Sequence, residues 1–314
     1  MNEAVPTPQR SFWKKLFLSP DEPRLRAGWR LAIQTLLMLV LFICAGFLIS
    51  LLYTIFHLKI TNATYLTLST LINLIAFTIS VFLARCFLDR RSFASLGLKL
   101  DRRVAPDLLA GIVISSVIMA LIFLVMAVFG WIQFEGFAWP FRPLSVVLGQ
   151  SLLFLLIFIF IGWQEELLVR GYYLQTLASG TNLFWGVLLS SVIFGLMHLG
   201  NPSATWFSAA GIFFAGLFLA LGYVRTGQLW LPIGLHLGWN FFEGIVFGFP
   251  VSGFATFPLI RISISGPVLW SGGAFGPEAG LILLPALLLG ALLISLYARW
   301  RSHSMPQDHL SPAL

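Results

Sequence analysis

Residues Leu144–Gly171 read LSVVLGQSLLFLLIFIFIGWQEELLVRG. No charge occurs before Glu165, and the apolar run over 144–168 exceeds the roughly 20 residues that a helix needs to cross a bilayer core. The same pattern recurs on both sides of it, at about 29–56, 64–88, 107–131, 183–198, 205–224, 231–248 and 279–299. Backbone polar groups inside lipid must be satisfied within their own segment, so all eight runs are read as helices. Composition agrees. Of 314 residues 58% are hydrophobic and 10% charged, with a mean hydropathy of +0.91, against about 25% charged in soluble domains. These figures exclude a soluble enzyme, a disordered chain and a fibrous one. The fold class is an all-α polytopic transmembrane helical bundle of about eight helices over 29–299, with a basic tail over 1–28 and a second tail over 300–314.

The basic residues orient the bundle. With the N-terminus in the cytoplasm, the inside segments hold Arg10, Lys14, Lys15, Arg24, Arg26, Arg30, Arg85, Arg90, Arg91, Lys99, Arg102, Arg103, Arg170, Arg225, Arg299 and Arg301. Only Lys59, Arg142 and Arg261 fall outside, which puts both termini in the cytoplasm. The net charge of +7 is then a topology signal, and the expected partner is membrane lipid, not nucleic acid. No apolar core with a small-residue cleavage site precedes the first span, so no cleaved signal peptide is expected. Ser11–Phe17 (SFWKKLF) reads either as a surface-lying amphipathic segment or as an ordinary tail. The basic stretch 85–106 would face anionic lipid. The Gly- and Pro-rich stretch 249–278 is either a lid or a plain connector. Cys44 and Cys86 have no CxxC spacing and read as inert thiols.

Ionisable groups inside spans are costly and call for a reason. Of twelve acids, Glu165, Glu166 and Glu243 are placed within spans; of five histidines, His198 and His236 are. His57 sits at a span edge, and His303 and His309 lie in the tail. Glu166 and Arg170 are four apart on one helix face, which favours an ion pair. Glu165 points about 100° away and has no local cation, so desolvation would suit it to general-base work. Alternatively the helix ends here and leaves all three residues solvated. His198 closes the fifth run, and His236 and Asn240, again four apart, share a face of the seventh.

Two carboxylates, two imidazoles, an amide and a guanidinium suffice for hydrolysis of an amide bond: a carboxylate activates water, an imidazole orients it, and Asn or His donates to the oxyanion. Glu165, His198 and His236 could equally hold Zn²⁺ with an open position for water. HExxH, GxSxG, GxGxxG and P-loop patterns are all lacking.

At these positions the chain resembles the CPBP family, which includes the CAAX proteases and the bacteriocin-processing enzymes also called the Abi family. The family pattern is EExxxR, FxxxH and HxxxN in that order. Here it reads Glu165-Glu166-x-x-x-Arg170, Phe194-x-x-x-His198 and His236-x-x-x-Asn240. The RGYYLQ flank, Arg91–Lys99 (RSFASLGLK) and the later GGAFGPEAG also look similar to bacterial members, so the likeness covers about 85–290. The resemblance implies an intramembrane endopeptidase in a bacterial inner membrane. Its substrate would be a polypeptide, prenylated or membrane-associated, cut during protein processing, bacteriocin maturation or self-immunity. It implies that Glu165 activates water with Glu166 and Arg170 in support. His198 would position the water, while His236 and Asn240 stabilise the oxyanion. It leaves open a metalloprotease and a metal-independent glutamic protease, so Zn²⁺ stays an alternative. The competing functions are a proton-coupled transporter, disfavoured by the lack of an internal repeat, and a catalytically silent scaffold.

Straight spans put Glu165, His198 and His236 at different depths, where they could not share a water. The expected resolution is one long helix over 145–178, about 50 Å in length, that carries Glu165 past its middle.

Overall fold

The computed structural model describes residues 11–20, 22–57 and 62–304, except the side chains of 62 and 63. Arg10, Lys59 and His309, and with them parts of both tails, lie outside the described residues. The apolar runs close their own hydrogen bonds and form helices: α1 (Ala27–Ile55), α2 (Asn62–Leu83), α3 (Val104–Val128), α4 (Leu144–Glu166), α5 (Leu183–Met197), α6 (Trp206–Thr226), α7 (Trp230–Asn240) and α8 (Leu283–Ser304). Among the described residues seven helices are long and apolar enough to span a membrane. The protein is an integral, multi-pass, all-α membrane protein.

The eighth expected span is shorter than the sequence suggested. α7 and the π-helical turn Phe241–Val246 that continues it reach about 25 Å, less than the roughly 30 Å hydrocarbon core. Gly248 ends the run. It sits at φ +78°, and a Cβ there would fall 2.2 Å from the Ile260 carbonyl oxygen.

The long helix is present. α4 runs on through a π-helical stretch, Leu167–Leu174, to Gly180, so the continuous element Leu144–Gly180 has 37 residues. α5 starts at Leu183 after a two-residue turn, with Asn182 capping the Trp185 N–H. In such an antiparallel hairpin, residues equally far from the turn lie at equal depth. Glu165 is fifteen residues before Gly180 and His198 fifteen after Leu183, which removes the conflict in depth.

α7 is set against α3 by glycines. A Cβ on Gly234 would lie 2.3 Å from the Leu108 carbonyl oxygen, and one on Gly111 2.4 Å from the Leu235 nitrogen. Without side chains at these points the backbones approach closely, as membrane helices do through small residues. Ser115 donates to the Leu235 carbonyl at 2.7 Å and fixes the register that aims His236 inward.

Several charges assigned to loops are buried instead. Arg30 and Arg85 both bond Asp89, so the first and second helices are clamped together where the sequence suggested basic residues facing lipid. Arg103 in the same stretch is also buried. Asp107, not counted among the acids inside spans, is wholly buried near the start of α3. It takes a two-pronged bond from Arg301 of α8, at 2.7 and 2.8 Å, and a third from Tyr297 at 2.6 Å. The short segment Phe12–Phe17 is helical, with Phe12 and Trp13 exposed.

An element not foreseen is an antiparallel ribbon of β1 (Ile132–Phe137) and β2 (Ile260–Ile264). Its register pairs Ile132 with Ile264 and Phe137 with Ile260, with a bulge between Phe134 and Gly136. The alternation Ile260, Ile262, Ile264 is a strand signal, set inside a segment whose Gly and Pro content suggests only a loop. Residues 249–278 are thus ordered by β2 and by tight turns.

Candidate active site

The π-helical stretch after α4 packs the first motif inward. Arg170 is fully buried and donates to Glu166 Oε1 at 2.7 Å and to the Gly216 carbonyl of α6 at 3.1 Å. Its guanidinium also lies 4.3 Å over the Phe194 ring. The expected Glu166–Arg170 pair is therefore formed, and Phe194 fills the space between it and the imidazoles. That ring meets His198 edge-on at 4.8 Å and His236 at 6.2 Å.

Both imidazoles are oriented through Nδ1. Nδ1 of His198 is 2.8 Å from the Phe194 carbonyl, which can only accept, so this nitrogen carries the hydrogen. Nδ1 of His236 is 2.9 Å from Glu166 Oε1 and donates to that carboxylate by the same logic. Each Nε2 is left to face Glu165. Glu165 Oε2 is 3.9 Å from Nε2 of His198 and 3.8 Å from Nε2 of His236. It is buried with no hydrogen-bond partner among the described residues. These separations are too long for direct bonds and leave room for a bridging group.

Glu165, His198, His236 and Asn240 line one cavity of about 460 Å³. The same cavity is lined by α2 and α4 through a mainly apolar lobe that includes Phe77, Phe154 and Phe158, with Ser69, Thr70 and Asn73 of α2 also in its wall. All six residues singled out by sequence thus come together, Glu166 and Arg170 from behind the cavity wall. Glu243 does not line the cavity. It is wholly buried behind it, close to Gly276, with neither oxygen hydrogen-bonded among the described residues.

The span-by-span screen passed over Glu278, because it lies in the turn Pro277–Ala279 between β2 and α8. This acid lines the same cavity and accepts from the Ser252 N–H at 2.7 Å and its hydroxyl at 2.6 Å, both at Oε2. Burial pushes its carboxyl above the ordinary range, while the Ser252 donors and the two imidazoles pull it back. Its only sequence signal was the GGAFGPEAG likeness. Gln164, with Oε1 buried and unbonded among the described residues, is a further lining residue that was passed over.

The zinc alternative was tested on the same distances. Ligand atoms on a tetrahedral zinc with bonds near 2.0–2.2 Å stand about 3.4 Å apart. The Glu165 oxygen and the two Nε2 atoms are spaced more widely. Among the described residues no group of three or more His, Cys, Asp or Glu is arranged to hold a metal ion. As it stands, the donor set is more open than a tetrahedral zinc site.

Residues 147–242 match the family described as Rce1-like type II CAAX prenyl endopeptidases. That stretch runs from α4 through α7 and holds every residue of the three motifs. The site-bearing segment is thus similar to these endopeptidases. The chain is also 38% identical over 82 residues to a protein of Bacillus subtilis (strain 168) named "Putative membrane peptidase YdiL". The aligned part is 26% of this chain and 32% of that protein, so the chain spans about a third of the length of this relative. The matched segment and the converging side chains coincide, while the α2 side of the cavity, the ribbon and the Glu278 turn draw on residues outside it.

Proposed function

We propose that the protein is an intramembrane endopeptidase that uses Glu165 to activate water. The observation that carries this reading is the unbonded Glu165 oxygen set between two Nε2 atoms at 3.9 and 3.8 Å, at the polar end of an apolar cavity. A water there would donate one hydrogen to Glu165 and the other to the Nε2 lone pair of His198. Glu165 takes the proton as the water oxygen attacks the peptide carbonyl. The tetrahedral oxyanion accepts from the Asn240 amide and from Nε2 of His236 in its imidazolium form. Glu165 then hands the proton to the departing amine as the C–N bond breaks, so the carboxylate is restored. Glu166 and Arg170 act on His236 and hold its ring.

The apolar lobe suits a membrane-associated polypeptide, with a prenylated tail as one option. The proposed setting is a bacterial inner membrane, in protein processing, bacteriocin maturation or immunity. The test is peptide cleavage by protein purified in detergent, comparing wild type with Glu165→Gln and His198→Ala. Loss of about 10²–10⁴ in rate is expected for removal of a general base. Equal cleavage by all three proteins would refute the assignment.

A further inference from the structure

Among the described residues the cavity presents two carboxylates and no lysine or arginine. Glu166 has Arg170, and Glu165 has the work proposed above. Glu278 has neither. Both its hydrogen bonds go to Oε2, the imidazoles of His198 and His236 act on it, and the buried Glu243 carboxyl is close enough to interact with it. It is buried yet forms part of the wall that a ligand would touch.

The position of Glu278 is built with some care. Ser252 adopts φ +48°, a left-handed conformation that costs a non-glycine residue about 1 kcal/mol or more. In that conformation both its N–H and its hydroxyl reach Glu278. Asn201, three residues after His198, donates to the Ser252 carbonyl at 3.1 Å. Behind the turn, the Glu278 backbone lies so close to α6 that a Cβ on Gly211 would fall 1.9 Å from its carbonyl oxygen. A carboxylate fixed in so apolar a cavity is costly unless opposite charge is near, and beyond the two imidazoles the described lining leaves that charge to a ligand.

We infer that the cavity takes a polypeptide segment carrying a cationic nitrogen, and that Glu278, held by Ser252, is the counter-charge that selects it. The cation is a Lys or Arg side chain or a free α-amine, brought near the bond that Glu165 addresses. Trp239 and Phe254 also line the cavity, and aromatic rings there are compatible with a cation. This inference rests on the peptidase reading, since it names the substrate of that site.

The test uses binding and not turnover, in the Glu165→Gln background in lipid nanodiscs. The probes are short apolar peptides, N-acetylated and C-amidated, in which one lysine is walked along the chain and compared with norleucine. A second set without lysine has a free α-amine in place of the acetyl group, which separates the two sources of the cation. At one or a few positions, lysine or the free amine should bind about tenfold tighter than its neutral counterpart. Glu278→Gln, which can still accept from Ser252, should abolish the difference, and Ser252→Ala should reduce it. Equal affinity for cationic and neutral probes at every position overturns the inference. So does a preference that persists unchanged in folded Glu278→Gln. Should the preference hold while active protein cleaves nothing, the peptidase reading fails and the cation subsite stands.

Discussion

Arg170→Met tests whether the buried pair behind the cavity supports the site. Arg170 and Glu166 are both fully buried, with Nη1 and Oε1 2.7 Å apart. Their charge centres are then about 4 Å apart, and at an effective dielectric of about 20 the attraction is about 4 kcal/mol. Removing one member of such a pair typically costs about 3–5 kcal/mol, because the other charge is left uncompensated. Methionine keeps much of the volume over Phe194 but strands the Glu166 carboxylate with only the His236 Nδ1–H. The single variant should therefore lose about 3–5 kcal/mol. The double variant Arg170→Met/Glu166→Gln should regain most of that, since a neutral amide oxygen still accepts from His236. Unfolding in mixed micelles by SDS, followed through the eleven tryptophans, measures both. A single-variant loss below about 1 kcal/mol, or strictly additive single and double losses, would refute the reasoning.

Four further outcomes are expected. Peptide cleavage should survive strong chelation once metal removal is verified by elemental analysis, because the spacing of Glu165, His198 and His236 does not fit a zinc site; loss with recovery on adding zinc would reverse this. Asp107→Asn should destabilise the fold by about 2–4 kcal/mol, since Arg301 of α8 loses the charge behind its two-pronged bond, and thermal unfolding in detergent reads it. Gly234→Ala should push α7 off α3, because the new methyl would meet the Leu108 carbonyl at 2.3 Å, and cleavage should fall well beyond the change in stability. Finally, burial raises the Glu278 carboxyl, so it is ionised only above that raised value. Preference for cationic probes should be present at high pH and fade as pH falls, beginning above the ordinary carboxylate range near 4.3.

The sequence by itself determined the class of molecule and the identity of the motif residues. Apolar runs of spanning length leave the backbone one solution in lipid, so helices at 29–56 or 107–131 needed no tertiary information. Glu165, Glu166, His198 and His236 stood out because ionisable groups are so costly there, and helical periodicity alone paired Arg170 with Glu166 and Asn240 with His236. Tertiary structure decided the rest. The depth of Glu165 followed from a helix that continues past the charged motif to Gly180, through residues whose mixed polarity resembles an interface. The close approach of α7 to α3 depends on where Gly111 and Gly234 meet, which no local pattern encodes. Asp107 and Asp89 are buried clamps that the sequence did not single out, since their partners Arg301 and Arg30 lie far along the chain. Glu278 was invisible for the same reason. A carboxylate in a turn looks solvated until the fold lays that turn against α6 and over the cavity, where burial makes its charge costly and the Ser252 donors offset part of that cost.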